Sequence, residues 1–210
     1  ADVVTGAGFG GGPHVRMFSG ADLITDNPNR PANGPNVSQM NFFAYSAEFT
    51  GGASVAVADF NGDGYADIVT GAGTGGGPHV IVFSGRDGSE LQNFFAFDPS
   101  LRTGVSVAAG DLRGDGFTSL IAVPMIGAVP EVQVFVDGNA VASFMPFEAD
   151  SDHGAGVAVR DLDQDGNMEV LLTSGPGMKP QVRVFRSDNW ELLREFPALP
   201  PSYLGGLYVG

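Results

Sequence analysis

The stretch "ADIVTGAGTGGGPHVIVFSG", residues 66–85, repeats almost letter for letter the stretch "ADVVTGAGFGGGPHVRMFSG" at residues 1–20. Two looser copies follow, "SLIAVPMIGAVPEVQVFVDG" from Ser119 and "EVLLTSGPGMKPQVRVFRSD" from Glu169. Their shared valines, Val15, Val80, Val132 and Val182, stand 65, 52 and 50 residues apart. A fixed period of this size is the mark of an array of supersecondary units, so it constrains the fold before any local reading does. The first step is longer by about 13 residues because of the segment "ADLITDNPNRPANGPNVSQM" (21–40), rich in Asn and Pro. That insertion is expected to be an extended surface loop.

Two further blocks recur in phase. "GASVAVADF", "GVSVAAGDL" and "GAGVAVRDL" begin at Gly52, Gly104 and Gly154, and "NFFAYSAEFTGG", "NFFAFDPSLRTG", "SFMPFEADSDHG" and "EFPALPPSYLGG" close the units. Each unit holds about four short apolar or alternating runs, separated by Gly, Pro and Asp turns, and this is the pattern of strands rather than helices. Four strands per unit of roughly 50 residues is the arithmetic of a β-propeller blade. A β-sandwich does not require near-identical units, and a solenoid coil has a shorter period.

The expected fold is therefore all-β, a propeller of about four four-stranded blades. The units are approximately 1–51 together with 205–210, then 52–103, 104–153 and 154–204. Gly206 aligns with Gly154 and Asp2 with Asp67. A first strand thus stands at the C-terminal end, and second to fourth strands at the N-terminal end. Pairing the two ends would close a ring of four blades; the alternative is that the blades are part of a larger propeller.

Between the first and second runs lies an acidic loop, "DFNGDGYAD" at 59–67. Asp59, Asn61, Asp63 and Asp67, with the carbonyl of Tyr65, offer oxygen donors at alternating positions around two glycines. Oxygen-only donors including several carboxylates suit a hard cation that takes six to eight ligands, which is Ca²⁺. Without a cation, carboxylates so close together would repel one another. The pattern recurs at "DLDQDGNME", where the donors are Asp161, Asp163, Asp165, the Asn167 carbonyl and Glu169. It is weaker at "DLRGDGFTS": Asp111, Asp115 and the Phe117 carbonyl remain, while Arg113 and Ser119 replace two oxygen ligands. Arg113 would either put its own charge where the cation sits or swing out. An EF-hand opens with the same residues, but its twelfth position must be Glu and here is Thr70, and the flanks are strand-like.

These loops, in units of about 50 residues with β-like flanks, resemble the FG-GAP repeats of integrin α-subunit propellers and the related bacterial VCBS repeats. The resemblance implies that each loop joins strands one and two of a blade and holds Ca²⁺ structurally, on the face opposite a ligand-binding rim. It also implies a noncatalytic adhesion or ligand-binding module, secreted or on a cell surface, and bacterial. Its expected ligand is a protein or a glycan on the rim. A carbohydrate-binding lectin and an accessory domain of a secreted enzyme are the alternatives.

On that rim the resemblance places "GFGGGPHV" and "GTGGGPHV". These lack the Lys-Ser/Thr ending and the following helix that a phosphate cradle needs. His14 and His79 occupy matching positions there and are candidate ligand contacts, with packing on the neighbouring proline as the plainer role. The repeated phenylalanines Phe42, Phe43, Phe94 and Phe95 read as packing between blades. Arg113–Asp115 spells RGD, but its aspartate is an expected cation ligand. Asn36, in "NVS", fits a glycosylation acceptor. No serine sits in a nucleophile turn, and the three histidines are scattered, so an enzyme is not expected.

Composition agrees. The 24 carboxylates against 10 Lys and Arg give a formal charge of −14, which repels phosphate backbones and argues against nucleic acid. With zero cysteines, disulfides and thiolate metal sites are excluded. The longest apolar runs, such as "SLIAVPMIGAV", fall far short of the ~20 residues of a membrane helix. No charged-then-apolar leader is visible, so a signal peptide is expected to be absent or already removed.

Overall fold

The computed structural model describes residues 2–18, 20, 38–148 and 152–209. Their strands are β1 (Val3–Gly6), β2 (His14–Phe18), β3 (Ser38–Phe43), β4 (Ala53–Ala58), β5 (Asp67–Ala72), β6 (His79–Phe83), β7 (Glu90–Phe95) and β8 (Val105–Gly110). The series continues with β9 (Ser119–Pro124), β10 (Val132–Val136), β11 (Asn139–Phe144), β12 (Ala155–Arg160), β13 (Glu169–Ser174), β14 (Gln181–Arg186) and β15 (Leu192–Pro197). They form one three-stranded sheet, β1-β2-β3, and three four-stranded sheets, β4 to β7, β8 to β11 and β12 to β15, each an antiparallel meander in chain order. This is a β-propeller of four blades. The Asn/Pro insertion falls mostly at residues 21–37, outside the described residues, as does Asn36; its last residues, 38–40, instead begin β3, where Met40 packs against the core.

The repeat is visible in the backbone as well as in the letters. In every blade the ladder between the third and fourth strands shifts register just before the same phenylalanine, Phe18, Phe83, Phe135 or Phe185. A bulge there adds local twist to the outer strands. Gly52, Gly104, Gly154 and Gly206 all have positive φ, between 64° and 80°. A Cβ on the first three would lie within 2.5 Å of backbone in the preceding blade, so only glycine lets adjacent blades approach at this point.

The core lies between blades. The second strands β5 and β9 are buried along their whole length, because each is covered on both faces by its neighbours. Val69, Val80 and Val82 pack with Leu120, Ala122 and Phe135 of the next blade, and Ile121, Val123 and Val134 pack with Val157, Val170 and Leu172 of the one after. One aromatic pair recurs at each interface. Phe42 meets Phe83 with ring centroids 4.8 Å apart, Phe94 meets Phe135 at 4.9 Å, and Phe144 meets Phe185 at 5.2 Å. Such pairs add about 0.5–1.5 kcal/mol beyond the area they bury.

The inner strands β4, β8 and β12, together with residues 206–209, line a common cavity of about 620 Å³. Gly206–Val209 sits as a first strand would: Leu207 N–H donates to Ser174 O, as Ala53 N–H donates to Ala7 O between the first and second blades. It forms no ladder with β1, so the ends of this chain do not close a ring by strand pairing among the described residues.

Candidate metal centre

Each acidic loop joins the first strand of a blade to the second, and the loop is shaped by its own carboxylates. Asp59 accepts from the N–H groups of Gly62 and Gly64, at 2.8 and 2.9 Å, and Asp63 Oδ1 accepts from Tyr65 N–H at 2.9 Å. Asn61 Oδ1 accepts from Asp63 N–H at 3.0 Å. These bonds wind the chain tightly enough to need positive φ at Gly62, and the same conformation is imposed on Gln164 in the last loop (φ 63°). In that loop Asp161 accepts from Gln164 and Gly166, Asp163 from Asp165, and Asp165 from Asn167.

The ninth position separates the loops. Asp67 is fully buried, and its two oxygens accept from Phe60 N–H (2.8 Å) and Gly85 N–H (2.9 Å). Asp2 makes the equivalent bond to Gly20 N–H in the first blade. Glu169, 4% exposed, accepts from Leu162 N–H at 2.8 Å through Oε2 alone. The structure brings together Asp161, Asp163 and Glu169, whose carboxylate oxygens lie within 4.8 Å of one another; among the described residues this is the gathered acidic group. Asp165 turns its Oδ1 to Asn167 instead. Asp59, Asp63 and Asp67 are held by loop amides, with Asn61 between them carrying no charge. Three converging carboxylates, one nearly buried, fit a hard cation; Arg160 and Arg186 stand opposite Glu169 in its two ladders but form no ion pair with it among the described residues.

In the middle loop Asp111 still accepts from Arg113, Asp115 and Gly116 N–H, and Asp115 from Phe117 N–H. Arg113 is exposed and forms no ion pair among the described residues, so it has swung out. Ser119 is buried at the start of β9. The RGD tripeptide is thereby folded into the loop. The loops are braced across blades: Thr118 Oγ1 donates to Asp59 O, and Ser187 Oγ donates to Leu112 O at 2.7 Å.

His14 and His79 begin the third strands, at the opposite end of the blades from the acidic loops. Their rings meet phenylalanines. His79 stacks on Phe95 (4.7 Å, 21°) and donates from Nε2 to Asn93 Oδ1 at 2.6 Å, because the ladder sets Phe95 directly opposite it. His14 leans on Phe43 and donates to Asn41. Gln181 bonds Glu195 from the same pair of positions in the last blade, at 3.0 Å. Asn41 and Asn93 were legible only as the first letter of the repeated "NFF". Phe43 and Phe95 thus serve these histidines and stay half exposed, whereas Phe42 and Phe94 pack between blades.

Tyr45 ties the first blade to the second, its hydroxyl donating to His79 O at 2.8 Å and lying 3.2 Å from Thr70 Oγ1. Burial pushes its phenol above the ordinary range. Among the described residues no helix is long and apolar enough to cross a membrane.

Residues 51–89, which contain β4, the first acidic loop and β5 to the hairpin beyond β6, match the family described as FG-GAP repeat. A 79-residue stretch is 40% identical to integrin alpha-V of Gallus gallus, covering 35% of this chain and 7% of that protein. The match therefore spans a small part of the relative's length. The family match falls on the repeat that carries the first acidic loop.

Proposed function

We propose that this propeller, which carries an FG-GAP repeat similar to one in an integrin α chain, is a calcium-stabilised, noncatalytic binding module that works outside the cell. The observation that carries the reading is the convergence of Asp161, Asp163 and Glu169 in a loop type that recurs in register through three blades. In the last loop Asp161, Asp163, Asp165, Glu169 and the Asn167 carbonyl would hold the ion; in the first, Asp59, Asn61, Asp63, Asp67 and the Tyr65 carbonyl. The middle loop, reduced to Asp111, Asp115 and the Phe117 carbonyl, would hold it more weakly.

Bound Ca²⁺ supplies positive charge that offsets the repulsion among the loop carboxylates. Everything else is done by the chain. Asp67 fastens its loop to the outer hairpin at Gly85, Thr118 fastens the middle loop to the first, and Ser187 fastens the middle loop to the last blade. A loop held in shape therefore holds two sheets in register. Extracellular modules bind Ca²⁺ at about 10⁻⁴–10⁻³ M, and a site of that class would be filled outside the cell, which supports this reading. The rim opposite these loops, with His14 and His79, is the surface offered to a ligand, and the integrin similarity favours a protein over a glycan.

Thermal unfolding with calcium and with EGTA tests the structural role. At a hundredfold excess over Kd the ion adds about 2.7 kcal/mol, so the midpoint falls by several degrees when it is removed. An unchanged midpoint refutes the role.

A further inference from the structure

We infer that the first acidic loop modifies itself: Asn61 is converted to aspartate through a succinimide formed with Gly62, Asp59 acts as the base, and bound calcium suppresses the step. The calcium arm rests on the function proposed above; the chemistry of the loop does not. Asn61 is exposed, and among the described residues it is the one asparagine followed by glycine. A second such pair in the sequence, Asn33–Gly34, lies outside the described residues. Gly62 has no Cβ to shield its nitrogen, and the space around it is open, since a Cβ built there would meet nothing within 4 Å.

Three contacts assemble the reaction. Asn61 Oδ1 accepts from Asp63 N–H at 3.0 Å. An asparagine bonded to the amide two residues on has its side chain folded back over its own peptide bond, which carries the Asn61 carbonyl carbon towards the Gly62 nitrogen. Gly62 N–H donates to Asp59 Oδ1 at 2.8 Å, within the reach that a general base needs. Asn61 Nδ2, the leaving nitrogen, donates to Asp63 Oδ2 at 3.4 Å on the exposed side of the loop. As the bond from Gly62 N to Asn61 Cγ forms, the proton of Gly62 N passes to Asp59 Oδ1. The tetrahedral intermediate then expels the side-chain nitrogen, which takes that proton and leaves as ammonia. Water adds to the succinimide at Cγ, the bond from Cγ to Gly62 N breaks, the nitrogen regains a proton from the water, and a carboxylate remains on residue 61.

Neither of the other two loops has this chemistry, because the same position holds Arg113 in the middle loop and Asp163 in the last. The product is what the last loop already possesses. There Asp161, Asp163, Asp165 and Glu169 stand where the first loop has Asp59, Asn61, Asp63 and Asp67, and Asp163 is one of the three acids whose oxygens gather. Conversion therefore gives the first loop a carboxylate at every one of these positions, and added ligand charge tightens calcium binding. Opening of the succinimide at its backbone carbonyl gives isoaspartate instead, which lengthens the main chain by a methylene and displaces Asp63. A bound ion would take Asp59 and Asn61 as ligands and so withdraw both base and electrophile. The reaction belongs to the ion-free loop.

The full chain is incubated at neutral pH in EGTA or in calcium, and peptide mapping with fragmentation follows the amide-to-acid mass change at residue 61 separately from that at Asn33. Progressive conversion in EGTA is expected, slowed about a hundredfold by calcium at a hundred times its Kd. Asp59→Asn, measured in EGTA, should slow conversion by about a hundredfold as well. An Asp59 that merely shapes the loop would give the opposite result, a faster reaction in a loosened loop. Asn61→Asp should bind calcium severalfold more tightly than the unaltered chain in titration calorimetry. An Asn61 that persists in EGTA as long as Asn167 does overturns the proposal, as does an Asp59→Asn chain that converts as fast as the unaltered one, or an Asn61→Asp chain that binds no more tightly. Conversion that calcium fails to slow, although it still raises the melting midpoint, refutes the inference and leaves the proposed function standing. A midpoint indifferent to calcium refutes the proposed function and the calcium arm together, and the Asp59 comparison then decides the chemistry.

Discussion

Asp67 and Glu169 occupy the same position in the repeat and differ by one methylene, and that difference divides their tasks. The shorter Asp67 uses both oxygens on backbone donors, Phe60 and Gly85. Asp67→Asn keeps the size but replaces one acceptor by an NH₂ that faces an N–H group. A destabilisation of about 1–3 kcal/mol is expected even in EGTA, measured by urea unfolding. Glu169→Gln should act chiefly on the ion, weakening calcium binding by tenfold or more in titration calorimetry with less effect on the EGTA form. Equal losses from both variants would contradict this division. The acids themselves were legible as letters at a spacing of two; what was not legible was which oxygens the loop amides would consume, because that depends on chain path and not on composition. Tyr45 gives a pH test. Its folded pKa is raised by burial, so its contribution is complete below the ordinary value of about 10 and is lost as pH climbs towards the folded value. Stability should decline above about pH 10, and Tyr45→Phe should flatten that decline while costing about 1 kcal/mol at neutral pH.

A strand turns successive side chains to opposite faces, and this alternation gives the paired phenylalanines of "NFF" unequal weight. Phe94 lies at the interface and reaches Phe135 of the next blade, while Phe95 is 48% exposed beneath His79. Phe94→Ala is expected to cost about 3–5 kcal/mol, and Phe95→Ala about 1 kcal/mol, in denaturant midpoints at constant m value. Comparable losses would mean that the interface does not run through the inward set. The sequence period disclosed both residues and the blade to which each belongs. It did not say which of the two faces the neighbour, since two adjacent letters carry no phase until the register with His79 is known.

At the scale of the molecule, the blades form a series in which each sheet packs on its neighbours, so stability is largely a sum of blade and interface contributions. The period of the sequence is sufficient for that architecture. Whether the series closes is another matter: the letters at Gly206 and Asp2 match a single blade, yet Phe18 and Phe196 remain apart, because curvature is set by small rotations at each interface and no single residue encodes it. The same series bears a charge of −14 with its acidic loops at one end of the blades, and two kinds of cation effect on stability follow. Diffuse screening works on all exposed carboxylates, needs about 0.1 M salt to shorten the Debye length to ~10 Å, and is indifferent to which cation supplies it. Coordination works only where oxygens converge, as at Asp161, Asp163 and Glu169, and saturates at the site's own Kd. The EGTA-treated chain should therefore recover its melting midpoint with calcium at about 10⁻³ M, whereas sodium chloride of equal ionic strength should restore only a small fraction. Glu169→Gln should reduce the calcium response and leave the sodium response intact. If sodium at matched ionic strength restores the midpoint as fully as calcium does, the loops merely relieve a field spread over the whole surface, and the convergence of their oxygens is a by-product of the turns that Asp59, Asp111 and Asp161 build with their own backbone amides.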